Sequence, residues 1–195
     1  IHRREVIYNG IDLTIFTPIV NHEAVKDEYG IGDKFFILGV ASPWSDRKGL
    51  NDFIKLSYII PEDSVILLVG LNRAQIKGLP PNIIGIGRTE SQYKLRDLYA
   101  AADLFINFSV EETFGLTTAE ALACGTPALV YNVTACPEIV DSTTGFVISR
   151  ADIAQALNVI KTIRINSRSF YASACRARAE RLFNNRERIV DYMNL

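Results

Sequence analysis

The sequence predicts an α/β fold: a Rossmann-like, doubly wound parallel sheet of about six strands between two helical layers, ending in a helical tail. Three observations predict it. Short apolar runs without polar alternation recur along the chain, as strands covered on both faces require. Amphipathic segments lie between them, giving repeated strand–helix–strand units with right-handed crossovers. After Ser149 the apolar runs cease and the pattern turns helical.

In order along the chain, REVIYNG (4–10) reads as a half-strand. Asn9-Gly10 reads as a turn with no matching strand after it, hence a connection from an upstream part of the protein. Strands are expected at 35–41, 64–69, 82–86, 103–108, 127–131 and 145–148, each rich in Ile, Val, Leu or Phe. Helices are expected near 48–58, 72–76, 91–101, 116–124 and 136–141, with Pro80-Pro81 marking a turn. The tail supplies helices over about 150–164, 168–182 and 185–194. Ser149 is the expected N-cap of the first of these, with Asp152 as an acid in its first turn. From Lys161 onward there are eight basic and three acidic residues, among them Arg164, Arg168, Arg176 and Arg178. That surplus reads as a solvated helical face, or as a contact for an acidic partner domain or anionic lipid.

A length of 195 residues suits one large domain or a crowded pair, and a domain of this size buries enough core to hold without disulfides or metal. With 48% hydrophobic and 22% charged residues the chain is not disordered. Its 21 basic and 22 acidic residues leave a formal charge of −1, which argues against generic nucleic-acid binding. Cys124, Cys136 and Cys175 form no CxxC pair and lie far in sequence from His2 and His22, so reduced thiols and no zinc are expected. No uncharged apolar run approaches the roughly 18 residues a transmembrane helix needs. The chain opens at Ile1 without a signal peptide and is read as a cytoplasmic piece of a longer protein.

In an open parallel sheet, ligands bind beyond the carboxyl ends of the strands where strand order reverses. If the order is 3-2-1-4-5-6, the loops SPWSDRKG (42–49) and SVEETFGLTT (109–118) leave neighbouring strands at that point. Arg47 and Lys48 precede a helix, which their charges oppose unless an anion intervenes; the plain alternative is two solvated cations. Trp44 reads as a packing residue. Gly115, Leu116 and Thr117 open the next helix, whose free N–H groups offer an anion site. Glu112 and Glu120 flank that helix start. Glu120 also fits a capping box with Thr117. Glu112 suits a neutral, hydroxyl-rich ligand such as a sugar, with Glu111 its solvated neighbour. GIGRTE (85–90) misses a dinucleotide fingerprint at Glu90, and neither a GxxxxGK[ST] loop nor an Asp-x-Asp pair is present.

EETFGLTTAEALACGTPALV (111–130) resembles the E-x7-E segment of the family 4 retaining, nucleotide-sugar-dependent glycosyltransferases of the GT-B fold. VIYNGIDLTIFTP (6–18), DRKG (46–49), NIIGIGRTESQYKLRDLYAAADLFI (82–106) and ACPEIVDSTTGFVI (135–148) resemble further segments of that family, in order. The resemblance implies that residues 1–195 form the single donor-binding, C-terminal half of such an enzyme, with an acceptor-binding N-terminal domain upstream. It implies a diphosphate ligand role for Lys48, a donor-sugar contact for Glu112 and a ribose contact for Glu120. Gly115, Leu116 and Thr117 would supply N–H groups to phosphate, and Gly87, Arg88 and Thr89 would border the base. No metal or other cofactor is implied. The partners implied are a nucleoside-diphosphate sugar and a sugar or glycan acceptor, lipid-linked ones included, handled in the cytoplasm or at the inner membrane face in polysaccharide synthesis. Two departures stand out. Pro43 occupies the place of a common family arginine, leaving Arg47 as the second cation, and Thr134-Ala135 replaces a Gly-Gly pair. A non-catalytic nucleotide-binding module of the same fold, or an interaction domain using the basic tail, are the alternatives.

Overall fold

The computed structural model describes residues 6–18 and 21–194. Six strands, β1 (Phe35–Val40), β2 (Ser64–Val69), β3 (Ile83–Ile86), β4 (Leu104–Asn107), β5 (Ala128–Tyr131) and β6 (Gly145–Ile148), form one sheet in the order β3-β2-β1-β4-β5-β6. Every pairing is parallel. Strand order therefore reverses between β1 and β4, as the expected order requires. The strands fall within a residue of their expected limits because β2, β4 and β5 are buried along their whole length.

Helices α1 (His22–Glu28), α2 (Leu50–Ser57), α3 (Arg73–Lys77), α4 (Gln92–Ala101), α5 (Leu116–Ala123), α6 (Cys136–Ile139), α7 (Ile153–Asn166), α8 (Arg168–Phe183) and α9 (Asn185–Met193) complete the chain. They cover the sheet around an apolar core that includes Phe36, Phe53, Phe105, Phe108 and Tyr131. Trp44 packs as expected, edge-on to Phe53, and its indole N–H donates to the Val69 carbonyl at 2.8 Å. All three cysteines are free and buried.

Four local expectations are corrected. Residues 6–10 form no strand (positions 4 and 5 lie outside the described residues). Instead Ile11 bridges Asn184, and Gly10 lies so close to α9 that a Cβ there would stand 2.3 Å from the Asn185 Cα. Helix α1 was not expected: only Val25 of its seven residues is buried, so no apolar stripe betrays it, although Asn21 caps it by accepting from the Ala24 N–H. Asp152, not Ser149, caps α7, accepting from the Gln155 N–H at 2.9 Å.

The fourth correction concerns the basic tail: Lys161, Arg181 and Arg186 are exposed, as a solvated face requires, but Arg164, Arg168, Arg176 and Arg178 are bonded within the fold. Arg176 donates to the carbonyls of Phe16 and Ala123 at 2.7 and 3.0 Å. Arg168 donates to the Cys124 carbonyl at 2.8 Å and Arg178 to the Ile139 carbonyl at 2.7 Å. Arg164 bonds Ser64 and Asp63. Arg168 and Arg176 thus satisfy orphan carbonyls at the C-terminal end of α5, where positive charge also complements the helix dipole. They seat α8 against α5 and so hold the helix whose other end opens the site.

Candidate functional site

The loops after β1 and β4 leave the sheet side by side at the switch point. They are tied together by the Val110 N–H, which donates to the Arg47 carbonyl at 2.8 Å. Residues Asp46–Lys48 form a single 3-10 turn that ends at Gly49 with φ +76°. This delays α2 to Leu50, two residues later than expected. Gly49 is required twice over. Its φ is left-handed, and a Cβ would lie 2.4 Å from the Phe108 carbonyl oxygen. That close approach carries Lys48 to the end of β4.

There Lys48 Nζ meets Glu112 Oε1 at 2.6 Å. The side chains are 30% and 14% exposed, so this is a partly desolvated pair. Beside it, Arg47 pairs with Glu111 at 3.1 Å, but those side chains are 72% and 63% exposed. Glu111 is thus the more solvated neighbour, as expected. The two cations at the start of α2 are therefore balanced by carboxylates from the facing loop.

A cavity of about 200 Å³ lies under the Lys48–Glu112 pair, bounded by Asn9, Ser42, Phe114, Gly115, Leu116 and Thr117. Gly115, at φ +100°, is the N-cap of α5 and provides no side-chain cap. The N–H groups of Leu116 and Thr117 are donated to no acceptor among the described residues. An uncapped helix start, a lysine and a carboxylate thus share one cavity, which suits an anion joined to a hydroxyl-rich group. A second cavity of about 400 Å³ lies on the outer side of the same pair, lined by Pro43, Ser45, Arg47, Glu111 and Thr134. Arg47 borders this outer space and not the inner one.

Glu120 stands apart from both cavities, on the second turn of α5. The capping-box alternative fails because Gly115, not Thr117, is the N-cap. Glu120 Oε2 accepts instead from the Tyr99 hydroxyl at 2.9 Å. Burial pushes the Glu120 carboxyl up to about 7, against the opposing effect of that hydrogen bond. Its Oε1 takes no bond from the described residues and keeps access to solvent. Gly87, Arg88 and Thr89 follow β3 on the same edge of the sheet, with the Gly70 N–H donating to the Gly87 carbonyl at 3.1 Å. They border neither cavity at the switch point.

Sequence reasoning missed three contributors. Asn9 reaches the inner cavity from the N-terminal segment. Thr134 accepts from the Glu112 N–H at 3.0 Å. Tyr99 holds Glu120. An Asn-Gly turn, a residue standing where glycine is usual and a tyrosine within an apolar helix face were the faint signals. Among the described residues no group of three or more His, Cys, Asp or Glu side chains converges as metal ligands would, and no helix is long and apolar enough to cross a membrane.

Comparison with known proteins bears on the family and the fold. An alpha-galactosylglucosyldiacylglycerol synthase of Streptococcus pneumoniae is 27% identical over 172 residues, taking in 80% of this chain and 46% of that protein. An N-acetyl-alpha-D-glucosaminyl L-malate synthase of Bacillus anthracis is 27% identical over 172 residues, taking in 80% of this chain and 44% of its own length. The chain thus spans less than half the length of these curated relatives. Among solved structures, Anabaena HepE in complex with UDP-glucose superposes with a TM-score of 0.83 at 23% identity, covering 98% of this chain and 57% of HepE. The C-terminal domain of a glycosyl transferase group 1 family protein of Francisella tularensis superposes at 0.71 and 21% identity, covering 88% of this chain and 95% of that domain. These likenesses show the fold. Residues 34–163 match the family described as Glycosyl transferases group 1. The chain belongs to that family and has the fold of its C-terminal GT-B domain.

Proposed function

We propose that this chain is the donor-binding domain of a retaining glycosyltransferase, one half of a longer enzyme whose other half binds the acceptor. The observation that carries the reading is one cavity lined both by the Lys48–Glu112 pair and by the uncapped start of α5. A nucleoside diphosphate entering that cavity places its phosphates against the Leu116 and Thr117 N–H groups and draws Lys48 to itself. Glu112, released from Lys48, then accepts hydrogen bonds from hydroxyls of the donor sugar. Glu120 presents its solvent-accessible oxygen to the ribose, Gly87 to Thr89 border the base, and Arg47 adds positive potential from the outer rim. The HepE complex with UDP-glucose supports a nucleotide sugar as the ligand class.

In the reaction, the bond from the anomeric carbon to the diphosphate oxygen breaks as an acceptor hydroxyl approaches from the same face. The acceptor proton passes to the departing phosphate, and the anomeric configuration is retained. Negative charge on the diphosphate is met by Lys48, by Arg47 at longer range and by the helix start. Electrostatic stabilisation of this kind is worth roughly 2.7–4 kcal/mol per well-placed donor. No metal is needed in this scheme, and the domain alone transfers nothing because it holds no acceptor. The acceptor is a sugar or glycan in the cytoplasm or at the inner membrane face. A lipid-linked acceptor draws support from the relative named as an alpha-galactosylglucosyldiacylglycerol synthase. The alternative of an interaction domain acting through the basic tail draws no support from Arg168, Arg176 and Arg178, which are committed to backbone carbonyls.

Isothermal titration of the folded chain with UDP, ADP and GDP, without added metal, tests the reading. Binding of at least one in the micromolar range is expected. Absence of heat with all three overturns it.

A further inference from the structure

The loop after β5 turns at Val133–Cys136, where the Cys136 N–H donates to the Val133 carbonyl at 3.2 Å. Thr134 is the first central residue of this turn, with φ +44°. A β-branched residue enters that left-handed region only against steric resistance, and glycine is the residue the turn would favour. Strain of this kind persists where the surroundings over-determine it, and it tends to mark a functional constraint. The hydroxyl that glycine would lack is in use here. Thr134 Oγ1 accepts from the Glu112 N–H at 3.0 Å, joining two loops 22 residues apart in sequence. The same residue lines the outer cavity beside Lys48 and Glu112.

We infer that Thr134 is a positioning residue for Glu112, its hydroxyl fixing the backbone from which the Glu112 carboxylate reaches the donor sugar. This rests on the donor-site reading given above. The hydroxyl touches no reacting atom; it acts through the Glu112 peptide. The diphosphate contacts come from Lys48 and the start of α5 and do not depend on it. Thr134 therefore governs recognition of the sugar and not of the nucleotide. The Thr134 hydroxyl keeps the loop after β5 anchored to the loop after β4.

The test compares T134S, T134A and T134G with the parent chain. Titration with UDP and UDP-glucose, and with the ADP and GDP pairs, gives the preference for sugar nucleotide over bare diphosphate. T134S keeps the hydroxyl and the parent preference. T134A and T134G lose about fivefold of that preference, the value of one hydrogen bond, while diphosphate affinity holds. Hydrogen exchange at the Glu112 amide needs no ligand and reads the anchor directly. It quickens in T134A and T134G and stays unchanged in T134S. A thermal melt of T134G no lower than the parent's shows that the fold is intact. Unchanged Glu112 exchange in T134G overturns the anchor. Faster exchange with an unchanged sugar preference overturns the role in recognition. A parent chain that binds no nucleotide fails the donor-site reading instead, and amide exchange still decides whether Thr134 holds Glu112.

Discussion

The Tyr99 hydroxyl donates to Glu120 Oε2 at 2.9 Å from inside the core, where its ring is fully buried and packs edge-on against Phe16 and Phe105. Thr126 Oγ1 donates to the Tyr99 carbonyl at 2.6 Å, so the tyrosine is held at both ends. The carboxylate is thereby fixed by a residue from α4 that no motif flags. Replacing Tyr99 by Phe removes the bond and leaves the buried oxygen without a donor. A loss of about 1–3 kcal/mol in denaturant unfolding is expected, and an unchanged midpoint would contradict it.

The same carboxyl makes stability depend on pH. In the fold burial raises Glu120 to about 7, whereas its ordinary value is 4.5. Between those values the folded chain holds a proton that the unfolded chain has released. Stability from this group is therefore greatest below 4.5 and is lost as the pH rises through 7, by about 3 kcal/mol in all. Melting temperatures at pH 5.5 and 8 should show the decline in the parent chain. E120Q keeps an acceptor for Tyr99 but carries no charge, so its decline should be smaller. Equal declines in both proteins would refute this account.

Lys48 and Glu112 form a pair poised to separate, so their removal should affect ligand more than fold. Lys48→Ala is expected to weaken diphosphate binding roughly tenfold or more. Its cost to folding should be about 1 kcal/mol, the scale of a partly exposed ion pair. Paired titration and unfolding measurements check both halves of this expectation.

The arginines of the tail carry the opposite expectation. Arg176 donates to Phe16 and Ala123 and to the Leu13 carbonyl at 3.4 Å, and it pairs with Glu180. Arg176→Ala should cost about 2–4 kcal/mol through unpaired carbonyls and lost packing. Lys161, exposed on α7, should tolerate alanine within about 0.5 kcal/mol. Thermal unfolding of the two variants separates an internal brace from a surface charge.

Gly49→Ala should fail for two reasons at once, a left-handed φ and a Cβ driven to 2.4 Å from the Phe108 carbonyl. A loss of about 2 kcal/mol or more is expected, with Lys48 displaced from Glu112 and diphosphate binding reduced. Wild-type affinity in a folded G49A protein would show that Lys48 needs no such close approach.

The sheet was legible in the chain because a parallel strand covered on both faces is apolar throughout, and the short β-branched-rich run at 64–69 and the run at 127–131 fit that pattern. The place of the site was legible too, since Lys48, Glu112 and Gly115 lie in the loops that strand order brings to the switch point. Helix α1 was not, because a short polar segment with one buried residue leaves no periodic trace. Nor was the fate of Glu120: Thr117-x-x-Glu120 fits a local cap equally well, and only the packing of α4 beside α5 brings Tyr99 within reach.

What the amino-acid order determined by itself was the alternation of strand and helix and the chemical types carried in the connecting loops; the strand order that makes a switch point of them came from the fold. Tertiary structure alone decided the pairings. Lys48 meets Glu112, Arg176 meets carbonyls distant in sequence, and Thr134 holds the Glu112 peptide. The physical reason is range. Apolar periodicity is a local property that each segment carries on its own, whereas a charge or a hydroxyl takes its partner from whatever the fold sets within about 3 Å of it.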